Sequence, residues 1–213
     1  GNDGADSLSG GEGDDSLVGG TGADLLTGGT GADVFILAGD DTVVDFSSVE
    51  SDRVDLSGLA NGDSVTFPTV TGTLNLSGST TTARFVANSA ATSTTIIGGA
   101  GNDSITGAAG NDSIDGGPGD DSLSGGLGTN RLTGSSGNDL FAVATNANDS
   151  VSDLATGDAL TVAVSGTLSA TNVSNFIATS ATRNDGLVTI NAASSASTIN
   201  LGAAVGSVGF TLV

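Results

Sequence analysis

Between Gly98 and Ala142 the sequence runs as five consecutive nine-residue blocks, GGAGNDSIT, GAAGNDSID, GGPGDDSLS, GGLGTNRLT and GSSGNDLFA. A second run of four blocks, GNDGADSLS, GGEGDDSLV, GGTGADLLT and GGTGADVFI, occupies residues 1–36. Both follow the pattern G-G-x-G-x-D-x-U-x, in which U is a large apolar residue. A fixed short period restricts the fold more than any other feature here, because one block cannot bury its own apolar face and must stack on copies of itself.

Each block divides into a glycine-rich half that turns and a three-residue half that extends. Ser104-Ile105-Thr106 is typical of the second half, a short strand with its middle residue pointing inward. The inward positions are Leu8, Leu17, Leu26 and Phe35 in the first array, and Ile105, Ile114, Leu123, Leu132 and Phe141 in the second. One apolar side chain per nine residues is too little buried area to offset the ordering of nine backbone units. Something besides the core has to hold the coil. Aspartates recur at the sixth position (Asp6, Asp15, Asp24, Asp33, Asp103, Asp112, Asp121 and Asp139), with Asn130 in the fourth block of the second array. Carboxylates beside glycine carbonyls make an oxygen-only environment suited to a hard cation, above all calcium.

These blocks resemble the RTX family of secreted bacterial proteins, the hemolysin-type calcium-binding nonapeptide repeats. The resemblance implies an all-β fold, a parallel β-roll or β-helix solenoid with two blocks per coil and calcium in the turns between blocks n and n+2. Carried onto this chain, it pairs Asp6 with Asp24, Asp15 with Asp33, Asp103 with Asp121, Asp112 with Asn130, and Asp121 with Asp139. The ligand set it implies is Gly4, Asp6, Gly11, Gly13, Asp15, Gly20, Gly22, Asp24, Gly29, Gly31 and Asp33 in the first array. In the second it is Gly99, Gly101, Asp103, Gly110, Asp112, Gly117, Gly119, Asp121, Asn130 and Asp139. Asn130 departs from the pattern: its amide oxygen is able to ligate, but the site is expected to be weaker or empty.

Charge narrows the partners. Lys plus Arg is 4 against 24 Asp plus Glu, a formal charge of −20. That balance argues against nucleic acid and anionic membranes, which require basic patches. Without cations, self-repulsion is expected to keep much of the chain unfolded. The chain has no Cys and no His, so thiolate, zinc and most transition-metal sites lose their usual ligands. It also lacks Lys and Tyr, has no G-x-S-x-G, and places no strand–glycine–helix unit around its glycines, so no catalytic role is expected. No apolar run reaches the length of a membrane span. The sequence opens inside a repeat without Met, which reads as part of something longer.

The remaining chain is read as β-rich. Residues 37–97 form a cap or continuation after the first array (1–36), and 143–213 do the same after the second (98–142). Period-two alternation predicts strands at Val43–Phe46, Val54–Leu56, Val65–Phe67, Val70–Leu76 and Arg84–Ala87. In the second half it predicts Leu160–Val164, Phe176–Thr179, Leu187–Asn191 and Thr198–Leu201, with a final strand near Phe210. Asp45, Asp52 and Asp55 are candidates for a further ion, or for a solvated strand face with Arg53 as counter-charge. Asp149 and Asp158 of the second half answer Asp41 and Asp52 of the first.

By resemblance, the function expected is that of a calcium-binding structural module of a secreted bacterial cell-surface protein, similar to surface-layer proteins. Its partners would be calcium, other copies of itself or a cell-surface polysaccharide. The alternative is a calcium-dependent folding and secretion domain of a type I-secreted enzyme or adhesin.

Overall fold

The structure, a computed structural model, describes residues 1–89, 92–145, 147–163, 167–173, 183–184, 187–192 and 210–212. Among these residues there is no helix, and every strand pairing is parallel. The chain winds as a β-solenoid in which successive strands alternate between two faces. In chain order the strands of one face are β1 (Ser7–Glu12), β3 (Leu25–Thr30), β5 (Thr42–Val43), β7 (Ser64–Val70) and β9 (Arg84–Ser89). They continue with β11 (Ser104–Thr106), β13 (Ser122–Ser124), β15 (Leu140–Val143), β17 (Ala159–Val162) and β19 (Arg183–Asn184). These ten form one sheet in that order.

The opposite face is divided. β2 (Ser16–Val18), β4 (Val34–Ile36) and β6 (Arg53–Asp55) make a three-stranded sheet. β8 (Thr73–Asn75), β10 (Thr95–Ile97), β12 (Ser113–Pro118), β14 (Arg131–Ser136), β16 (Asn148–Val151), β18 (Thr167–Val173), β20 (Leu187–Ala192) and β21 (Phe210–Leu212) make an eight-stranded one. Between β5 and β7 the coil takes on extra residues: Thr42 pairs with Thr66, and the added length goes into the turns around Ser48–Ser51 and Leu56–Asp63.

Within the arrays one coil is two blocks. Leu8 lies over Leu26, Ile105 over Leu123 and Ile114 over Leu132. The inward positions therefore stack in two columns that meet between the sheets. Leu26, Phe35, Ile105, Leu123, Leu132 and Phe141 are fully buried, and Leu8 in the first coil is half-buried. The register is unambiguous, since a slip of one residue would turn every such side chain to solvent.

Residues 37–97 continue the same coil. β5, β7 and β9 pair between β3 and β11, so the ten-stranded sheet passes unbroken from one array to the other. Two strand expectations change. The strand from Val43 stops at once, because the Asp45 carboxylate turns back to accept the N–H groups of Gly28 and Gly29 at 2.9 Å. Phe46 then turns inward, edge-on to Phe67 with centroids 6.1 Å apart. The stretch Val70–Leu76 is broken at Gly72, whose φ of 84° is open only to a residue without a β-carbon at low cost. The expected strands at Phe176–Thr179 and Thr198–Leu201 lie outside the described residues.

The two halves also correspond differently. The first array has four blocks and the second five, so their continuations start on opposite faces. Asp41 leads into β5 on the ten-stranded face, whereas Asp149 lies in β16 on the other. Asp52 and Asp158 are exchanged in the same way.

Candidate metal centre: two columns of carboxylates

In the arrays each block aspartate stands one residue before its strand, so winding stacks the aspartates as it stacks the core. On the turns before the ten-stranded face, the Asp6 N–H donates to Asp24 Oδ1 at 2.8 Å, and the Asp24 N–H to Asp41 Oδ1 at 3.2 Å. After an interval, Asp103 donates to Asp121 at 2.7 Å, Asp121 to Asp139 at 2.9 Å, and Asp139 to Asp158 at 2.9 Å. On the other side Asp15 donates to Asp33 and Asp33 to Asp52, both at 3.0 Å. There the second half runs from Thr94 to Asp112 and from Asp112 to Asn130, both at 2.8 Å, then from Asn130 to Asp149 at 3.2 Å. The five pairs expected from the sequence are all neighbours in these columns. Asp41, Asp149 and Asp158, which the sequence reading did not place in the ligand set, extend them. The signal was present as an Asp at or beside the start of a strand, but the spacing there is 17 or 19 residues instead of 18.

One oxygen of each carboxylate beyond the first coil is thus tied to the backbone of the preceding coil. The second oxygen divides the aspartates into two kinds. Oδ2 of Asp15, Asp24, Asp33, Asp121 and Asp149 is buried without a hydrogen-bond partner. A buried anionic oxygen left unpaired is costly and calls for a partner of opposite charge. At four other positions the second oxygen is closed by the protein itself. Asp41 takes the Ala38 N–H, Asp52 the Ser47 N–H, Asp103 the Gly99 N–H and Asp158 the Ala155 N–H, at 2.8 to 3.0 Å.

The glycines make room for this arrangement. At Gly28 and Gly116 a β-carbon would overlap Oδ2 of Asp33 and Asp121 respectively. At Gly22 and Gly119, with φ of 132° and 142°, it would overlap the carbonyl oxygen one coil earlier, that of Gly4 and Gly101. Carbonyl oxygens of adjacent coils therefore crowd the same turns as the open carboxylates. Gly99 and Gly101 open the second array without the left-handed φ of their counterparts, and a β-carbon on Gly99 would meet the ring of Phe85. Among the described residues no three carboxylates converge on one point. Each turn offers carboxylates from neighbouring coils together with backbone carbonyls, a mixed oxygen shell that suits calcium and no softer metal. Asp45, Asp52 and Asp55 do not assemble into a further site of that kind: the first two are held by backbone N–H groups, and Asp55 accepts from Ser57 at its own exposed turn.

Burial is the leading cause of the raised pKa values in these columns. It moves Asp121 up to about 7, helped by the charges of Asp103, Asp139 and Asp115, and moves Asp103, Asp139 and Asp149 up to about 6. Asp41, Asp52, Asp112 and Asp158 rise for the same reason. Each folded value exceeds the free value of 3.8, so without metal the folded coil holds more protons than the unfolded chain up to roughly pH 7. Metal-free stability is then fullest below about pH 4 and is lost as the pH rises through 6 to 7. Calcium takes the ionised form, so protons compete with it. Acidification from about pH 7.5 to 5.5 is expected to raise the calcium midpoint of folding about tenfold or more. Circular dichroism titrations at the two pH values check this, and an unchanged midpoint contradicts it.

The sequence matches the family described as the RTX calcium-binding nonapeptide repeat (4 copies) over residues 1–35, 91–123 and 107–141. The two arrays are RTX calcium-binding nonapeptide repeats. Such repeats bind several calcium ions, and this chain is a calcium-binding structural module built as a β-solenoid. A comparison with curated proteins returned no match.

Proposed function

We propose that this module belongs to a secreted bacterial cell-surface protein, and that extracellular calcium both folds it and packs its copies against one another. The ions lie between successive coils, held by the block aspartates named above and by the glycine carbonyls beside them. The supporting observation is the distribution of charge. On a chain of −20, the strands β11, β13, β15 and β17 contain no charged residue. Their outward positions form columns of small or apolar side chains: Ser104, Ser122, Leu140 and Ala159 in one, Thr106, Ser124, Ala142 and Thr161 in the next. Leu140 is 38% exposed, and Leu25, in the same column of the first array, is 44% exposed. A flat uncharged face bordered by acidic turns suits packing of like on like once calcium has neutralised those turns.

Extracellular calcium modules bind at roughly 10⁻⁴ to 10⁻³ M, far above cytosolic calcium, so the chain would leave the cell unfolded and order itself outside. Light scattering and negative-stain microscopy of the chain, with millimolar calcium and with chelator, test the reading. Extended sheets or large particles in calcium alone are expected. A calcium-bound monomer would overturn the packing part and favour a folding module attached to a larger secreted enzyme or adhesin.

A further inference from the structure

The two turn columns of the second array differ in kind. Before the ten-stranded face Asp121 presents an orphaned buried oxygen against Gly116, while its N–H donates to Asp139. On the opposite side Asn130 occupies the equivalent place. Its Oδ1 accepts the Asp112 N–H at 2.8 Å, and its Nδ2 donates to Asp149 Oδ1, also at 2.8 Å. Those partners fix the orientation of the amide, since a backbone N–H needs an acceptor and a carboxylate needs a donor. The Nδ2 group lies against Gly125, where a β-carbon would meet it. Asp121 and Asp139 present Oδ2 to Gly116 and Gly134 in the same way. A donor thus stands where the other blocks present an oxygen to a cation.

The next rung is closed too. Asp112 Oδ1 takes the Thr94 N–H at 2.8 Å, and its Oδ2 takes the Ser89 hydroxyl at 3.3 Å. Ser89 is itself fixed by accepting the Ala108 N–H at 2.7 Å. The described structure leaves no oxygen of Asp112 or Asn130 without a donor.

We infer that the seam from Thr94 through Asp112 to Asn130 is stitched by hydrogen bonds in place of calcium, so that over these rungs the second array takes ions on one side only; Asp149 Oδ2, just beyond the seam, has no donor and stays open to an ion. The Asn130 amide does the work of an ion there: it bridges consecutive coils and relieves the repulsion that an aspartate would exert on Asp112 and Asp149. The first array has no such seam, since Asp15 and Asp33 on one side and Asp24 on the other all carry orphaned oxygens. This inference rests on the calcium reading of the open turns.

Calcium stoichiometry of the full chain, measured by equilibrium dialysis, tests it. Asp112→Asn is expected to leave the number of bound ions unchanged, and Asn130→Asp to raise it by one. Asp121→Asn and Asp33→Asn, the controls, should each lower it. At calcium just above the parent's folding midpoint, Asn130→Asp should melt below the parent, and in saturating calcium at or above it, a reversal of sign that a plain packing defect does not produce. An ion lost with Asp112→Asn, or none gained with a folded Asn130→Asp, would overturn the inference. If both controls also retain every ion, it is the calcium reading itself that fails.

Discussion

In chelator at neutral pH the chain is expected to lose most of its β-sheet circular dichroism, and to regain it in a steep transition when calcium is restored. The geometry requires a large effect. Hydrogen-bonded strands lie about 4.8 Å apart, and the columns place successive carboxylates on that repeat. Two ionised carboxylates at such a distance repel by on the order of 3 kcal/mol at an effective dielectric near 20. Five of the second oxygens have no donor to offset that cost. A divalent ion between coils turns each repulsive step into an attractive one. Each site filled at a hundred times its Kd adds about 2.7 kcal/mol, so a handful contributes on the order of 10 kcal/mol, as much as the whole stability of a typical domain. The transition should be cooperative, because each ion joins two coils and each coil is the template for the next. A spectrum unchanged by chelation would remove the central role given to the aspartates.

The second large effect is expected away from the aspartates. Between Asp41 and Asp103 the column before the ten-stranded face is interrupted, and the backbone donor to Asp103 Oδ1 there is Phe85. Phe67, Phe85, Val65, Leu74 and Leu76 are all fully buried in these middle coils. Here apolar area replaces calcium as the connection between two calcium-dependent segments. Phe85→Ala should therefore cost roughly 3–5 kcal/mol, as large aromatic truncations in closed cores do. In saturating calcium it should also split denaturant unfolding into two transitions, because the arrays lose their mechanical link while each keeps its own ions. Fluorescence of single tryptophans introduced in each array would follow the halves separately. One transition at the parental midpoint would mean that the coil is continuous in energy as well as in shape.

Much of this was legible beforehand because the repeat couples three periodicities. A nine-residue block, two blocks per coil and one inward side chain per strand leave a single way to place Leu26 over Leu8, or Asp121 over Asp103. The buried column follows from spacing and burial, and the parallel topology and paired aspartates from the resemblance to RTX repeats. The reading failed where the spacing stopped being regular. Asp41, Asp149 and Asp158 sit 17 or 19 residues from their neighbours, so a strict period drops them, whereas the coil absorbs one residue in a turn without losing register. The strand expected at Val43–Phe46 failed for a different reason. Alternation does not reveal that Asp45 will be drawn back by the Gly28 and Gly29 N–H groups of the previous coil.

The sequence by itself determined the hard-cation chemistry and the core positions, because glycine, aspartate and one apolar residue recur at fixed spacing, and its resemblance to RTX repeats supplied the winding. The division of the aspartates was decided only by tertiary structure. Asp33 and Asp103 hold the same place in the repeat, yet Asp33 Oδ2 is orphaned while Asp103 Oδ2 is closed by the Gly99 N–H. The difference lies in the turn just upstream: the Gly99 N–H donates to Asp103 Oδ2, whereas the N–H at the matching place before Asp33, that of Gly29, is taken by Asp45 of the following coil. No local sequence signal around Asp33 records that its turn will lose that donor.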